Sequence, residues 1–197
     1  MDYRHLENQF KYLTKTVLTP VVNERFLREI GKMEAYLREV NQSSQFCEEM
    51  EMIEVKCNSE FNGSEHYKWI QVLRKAGDML DKEGMGSEFM RLESDGPPSF
   101  EGPFIKAINV EQSFVFEVWC DKNVLLANLS IIEALASFLH LAFVCDFKYS
   151  KKAETLCDII QRRFAKYGDN TGSRGASRKE TLATRRSNYL SILESLN

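Results

Sequence analysis

Along the start of the chain, apolar side chains recur at spacings that alternate between three and four: Tyr3, Leu6, Phe10, Leu13 and Val17, then Phe26, Ile30, Met33, Leu37 and Val40. That is the period of a helix with one greasy seam. Pro20 restricts Thr19 and either closes the first helix or opens the second. The pattern predicts two antiparallel helices over residues 2–19 and 21–41. Short heptad-like runs serve packing within a chain or assembly between chains. Leu6, Phe10, Leu13, Phe26, Ile30, Met33 and Leu37 are therefore the residues expected to carry such contacts.

Gln42-Ser43-Ser44 interrupts the pattern, and Phe46, Met50, Ile53, Cys57 and Phe61 resume it, although 52–57 also reads as an extended segment. Asn62-Gly63-Ser64 is a stop signal. A further amphipathic helix is expected over 66–82, carrying Trp69, Ile70, Leu73, Ala76 and Leu80 close to one face. Residues 84–103, with the strings GMG and DGPPSFEGP, show no period and read as a linker.

Beyond the linker the period drops to two. In SFVFEVW, Phe114, Phe116 and Val118 alternate with Val115, Glu117 and Trp119, a strand signature, and VLLANL after the turn Cys120-Asp121-Lys122-Asn123 reads as its partner. An isolated hairpin is barely stable, so something must cover it. The run from Ile131 to Val144 is apolar on nearly every side, as a buried helix is. It is shorter than the roughly twenty residues a membrane span needs, and extending it back to Val124 admits Asn128, Ser130 and Glu133. Another helix is expected over 150–167, with Ser150 as its cap and Gly168 at its end. Lys148, Lys151 and Lys152 mark the chain's exit to solvent rather than a phosphate cradle.

The segment 113–164, SFVFEVWCDKNVLL followed by ASFLHLAFVCDFKYSKKAETLCDIIQRRF, resembles the C-terminal part of a group of uncharacterised animal proteins. Some of that group are labelled as like sterile alpha motif domain-containing protein 3, and several belong to mobile-element-derived genes. Ser150 stands where their pattern has proline. The resemblance implies a hairpin-plus-helix layout and an interaction role, and it assigns no functional residue.

Composition then narrows the classes. Over 197 residues the net charge is only -3, but from Lys148 onward there are 11 Lys and Arg against 5 Asp and Glu, leaving 15 against 24 before it. An acidic body argues against a broad duplex-binding face. The tail differs: Ser177 and Glu180 fit a capping box, and a last helix with Leu182, Tyr189, Leu193 and Leu196 on one face is expected. Arg174, Arg178, Lys179, Arg185 and Arg186 are its candidate nucleic-acid-binding residues. No cationic and apolar leader opens the chain, and five cysteines without a CxxC pair indicate reduced thiols, so a cytoplasmic or nuclear location is expected.

The most enzyme-like string is MIEVKC. Glu54-Val55-Lys56 resembles the Glu-x-Lys strand of metal-dependent nucleases, with Gln71 on the next helix. Such a site also needs an acidic ligand from a preceding strand, whereas helices precede it here. Cys47, Cys57 and His66 lack a fourth zinc ligand. His140 reads as a core histidine satisfied locally, with Glu133 the nearest candidate. No phosphate-loop, dinucleotide or nucleophile-elbow motif occurs.

The expected fold is α+β and mainly helical: antiparallel N-terminal helices, then a β-hairpin packed on a buried helix and two further helices. The expected organisation is 1–84 helical, 85–103 loop, 104–170 hairpin and helices, and 171–197 basic tail. The expected function is a non-catalytic protein-interaction or self-association module, with no cofactor, no metal and no membrane. A homo-oligomer or protein partner is expected. A Glu-x-Lys nuclease and a nucleic-acid adaptor using the basic tail are the alternatives.

Overall fold

The fold is organised around the apolar run. In a computed structural model, which describes residues 2–14, 17–81, 84, 86–98, 102–120, 122–144 and 153–165, that run forms one helix of fourteen residues, Ile131–Val144, with ten of them buried. Six helices precede or follow it: α1 (Tyr3–Thr14), α2 (Leu18–Val40), α3 (Ser44–Glu60), α4 (His66–Leu80), the single turn α5 (Gly86–Phe89) and α7 (Glu154–Arg163), which makes Ile131–Val144 α6. The strands are β1 (Met90–Leu92), β2 (Phe104–Val110), β3 (Ser113–Cys120) and β4 (Asn123–Leu129). The protein is mainly helical α+β, as the periodicities predict.

Local chemistry sets the boundaries. Pro20 falls in the first turn of α2, where a missing N–H costs nothing. The Ser43 hydroxyl caps α3 by accepting from the Phe46 N–H at 3.3 Å. Asn62 and Gly63, both with positive φ, turn the chain out of α3. Ser130 and Glu133 form a capping box on α6: the Glu133 carboxylate accepts from the Ser130 N–H at 2.8 Å, and the Ser130 hydroxyl accepts from the Glu133 N–H at 3.3 Å. Residues 52–57 are helical throughout, so the extended alternative for them is ruled out.

Two elements, α5 and β1, lie where the sequence reads as a linker. The expected hairpin is the second half of a four-stranded sheet in the order β1-β2-β3-β4, with β1 parallel to β2 and the remaining pairs antiparallel. β1 is three residues long, too short for a period-two signal, and β2 sits beside the Pro-rich string that masks it. Gly86 owes its place to packing: a Cβ there would lie 1.8 Å from the Arg74 carbonyl oxygen, so only glycine lets α5 sit on α4. The Asp78 carboxylate receives the Gly86 N–H at 2.7 Å.

One continuous core runs from Leu6 in α1 to Ala165 beyond α7. The stretch on either side of residues 85–103 therefore shares a single interior. Both α1 and α2 lean on α6, whose small residues Ala134, Ala136 and Ser137 are fully buried. Phe10 meets the rings of His140 and Phe143 at 4.7 and 5.2 Å. Phe26 meets Trp69 of α4 at 5.1 Å and Phe164 at 5.9 Å. The sheet's inner face closes the other side, with Phe114 on Phe61 at 5.0 Å. No helix among the described residues is long and apolar enough to cross a membrane.

Helix α7 begins at Glu154 with Ala153 in the cap position. Its first N–H groups are satisfied from a distance: the Asp81 carboxylate accepts from Thr155 at 2.9 Å and Leu156 at 3.0 Å. Ser150, Gly168, Lys148, Lys151 and Lys152 lie outside the described residues. The buried Glu29 carboxylate ties α2 to α7 by accepting from Arg163 at 2.9 Å, with Arg28 on its other oxygen. A buried charge needs such partners, because losing one leaves the other uncompensated.

Candidate interaction face

Strand alternation sends successive side chains to opposite sides of the sheet. On β3, Phe114, Phe116, Val118 and Cys120 are buried toward the helices, while Val115, Glu117 and Trp119 point away and are partly buried. The register aligns the outer residues of β2 and β3 in direct pairs: Phe104 with Trp119, Lys106 with Glu117, Ile108 with Val115. Val124 of β4 lies opposite Trp119 and extends the row.

The outer side chains find their partners within the sheet. The Phe104 and Trp119 rings stack with centroids 6.0 Å apart and planes 16° from parallel. The Lys106 ammonium lies 5.3 Å from the Trp119 ring centre, and the Glu117 carboxylate accepts the indole N–H at 2.7 Å. Arg91 covers Phe104 from β1 at 5.7 Å. Its guanidinium is held in turn by the carbonyls of Ser87 and Gly96 and by Glu88 at 3.7 Å. Lys106 and Glu117 stand opposite each other without an ion pair between them among the described residues. The result is an aliphatic and aromatic surface with one cation and one anion at its centre. Val110 and Val124 are 46% and 44% exposed, which keeps apolar area in water at both ends of it.

The seam residues occupy a different place. Leu6, Phe10, Phe26, Ile30, Met33 and Leu37 are each no more than 4% exposed and belong to the chain's own core. Leu13 is 54% exposed. The seams therefore hold α1 onto α6 and α2 onto α6 and α4, and six of the seven side chains are unavailable to a second chain while the fold is intact.

The Glu-x-Lys string does not form a nuclease strand. It lies within α3, where two residues of separation rotate side chains by about 200°, so Glu54 and Lys56 leave the helix on opposing sides. Glu54 is spent on Arg38 at 2.8 Å and Lys68 at 3.9 Å, and Lys56 on Glu60 at 3.5 Å. Among the described residues no group of three or more His, Cys, Asp or Glu is placed to hold a metal ion. Cys47 is exposed, whereas Cys57, Cys120 and Cys157 are buried, and burial pushes the Cys57 and Cys157 pKa values up. Arg174, Arg178, Lys179, Arg185 and Arg186, with the capping box at Ser177, lie outside the described residues.

His140 is in the core, as expected, but Glu133 does not serve it. Neither ring nitrogen has a hydrogen-bond partner. Burial pulls its pKa down to about 4, against the weaker upward pull of Glu7. Above it, burial drives the Tyr3 phenol up to about 12, opposed by its hydrogen bond with Thr19. Asp95 shows the reverse balance. Burial works to raise its carboxyl, but hydrogen bonds from Arg74 and the Leu92 N–H, with the charges of Arg74 and Arg91, hold it below the ordinary range.

No family model, curated protein or solved structure matches this chain.

Proposed function

We propose that this protein is a non-catalytic interaction module of the cytoplasm or nucleus, and that its docking face is the outer side of the β-sheet. One observation carries the reading: a sheet covered by helices on one side presents Ile108, Val115, Trp119 and Val124 on the other, around Lys106 and Glu117. Antiparallel sheets that face water on one side alternate apolar with polar residues. This one is mostly apolar on both sides, which is what a second covering partner requires. The resemblance of residues 113–164 to an uncharacterised group of animal proteins supports an interaction role for the same segment.

Val115→Glu tests it. The substitution is on the outer face, so the thermal midpoint should stay within a few degrees of the parent, while association is lost. Sedimentation of the two proteins, and of cross-linked adducts recovered with each, reads the effect. Identical masses and identical adducts for parent and variant at every concentration would remove the sheet face from consideration.

A further inference from the structure

We infer that the occupant of the outer sheet face is a second copy of this chain, related by a twofold axis running along the strands between β2 and β3. The inference rests on the sheet being the docking face and adds which partner sits there. A rotation about that axis exchanges the two strand positions while keeping the level along the strand. Each residue of β2 then faces the β3 residue with which it is paired in its own chain. Lys106 meets Glu117 of the second copy, and Glu117 meets Lys106. Ile108 meets Val115, and each Trp119 lies against the aromatic stack of the other sheet. An isologous contact needs this reciprocity, in which residue i touches j and j touches i. A face carrying one cation and one anion at mirrored positions has it.

The local chemistry agrees. Among the described residues, Lys106 and Glu117 are engaged with the Trp119 ring and its N–H rather than with opposite charges, so their charges are available across the interface. Stacked sheets lie about 10 Å apart, a gap that a lysine and a glutamate reaching toward one another span. The alignment of packed sheets, about 30° from parallel, fits an axis along the strands. Four strands roughly 4.8 Å apart and about 20 Å long give a footprint on the order of 400 Å² per copy. That is below the area of tight complexes, so the dimer is expected to be weak and concentration-dependent.

A charge-swap experiment on the full chain tests the pairing. K106E leaves only carboxylates and E117K only ammonium groups at the centre of the face, so each variant repels itself. Each should weaken self-association at least about tenfold relative to the parent, because like charges would face each other twice per dimer. An equimolar mixture of the two should regain the parent's sedimentation profile, since the carboxylate introduced by K106E then faces the ammonium introduced by E117K. A purely intrachain effect of either substitution cannot produce that rescue. If a single variant fails to fold, the double variant K106E/E117K retains opposite charges within the sheet. It should pair with itself and not with the parent. A parent chain that stays monomeric up to about 200 µM, or a mixture no heavier than its parts, overturns the twofold pairing. If Val115→Glu still abolishes binding to some other protein in that case, the docking face stands and only its occupant is wrong.

Discussion

One eight-residue strand, β3, builds two surfaces of unlike fate. Its inner residues Phe114, Phe116 and Val118 are at most 6% exposed and rest on Phe61 just past α3, on α4 and on α6. Its outer residues Val115, Glu117 and Trp119 are almost as rich in carbon, yet are only partly buried. Composition does not separate the faces; what each has to pack against does. Burial of an apolar side chain contributes only when a partner removes its water. The inner face has that partner in the same chain, and the outer face does not among the described residues.

The contrast should be steepest for Phe116. It is fully buried at the centre of the inner face, and Phe116→Ala should cost about 3–5 kcal/mol, read as a fall in the urea midpoint. A loss below about 1 kcal/mol would mean that the inner face is not the core.

The next largest effect belongs to His140 and depends on pH. Its folded pKa lies near 4, well below the ordinary 6.5, so the unfolded chain binds the proton first as pH falls. Its contribution to stability is intact above pH 6.5 and is lost between 6.5 and about 4, by about 3 kcal/mol in all. His140→Leu should remove that part of the pH dependence. Parallel stability curves for the parent and the variant across this window would sink the assignment.

Asp81 comes third. It receives two N–H groups at the start of α7, and Asp81→Ala should cost about 1–2 kcal/mol. Faster amide exchange at Thr155 and Leu156 would localise the loss. The smallest effect on folding, about 1 kcal/mol or less, is expected for Val115→Glu, since outer-face propensity differences are of that size. That substitution should nonetheless have the largest effect on association.

Much of this was legible residue by residue. The three-four spacing of α1 and α2, the stop at Asn62-Gly63, the alternation of β3 and the unbroken apolar run of α6 all have their elements in the structure, although α1 spans only Tyr3–Thr14 and Val17, expected in its seam, is the extended residue before α2. The missed pieces share a physical cause. β1 and β2 exist because they pair with each other and with β3, and pairing between distant segments leaves little local trace. The cap of α7 comes from Asp81, more than seventy residues earlier in the chain. One miss did have a local signal: Ser130 and Glu133 spell the capping box that opens α6.

The sequence alone determined which side chains must leave water and with what period, because local backbone geometry decides whether every second or every third to fourth residue shares a side. It left open which apolar seams would cover one another. Only the tertiary structure decided that the helical seams close on α6 and α4, which makes Phe10, Ile30 and Leu37 interior rather than adhesive. It also decided that, among the described residues, helices cover one side of the sheet and not the other. Both sides of a strand look alike in one dimension, and only the packing of distant elements tells them apart.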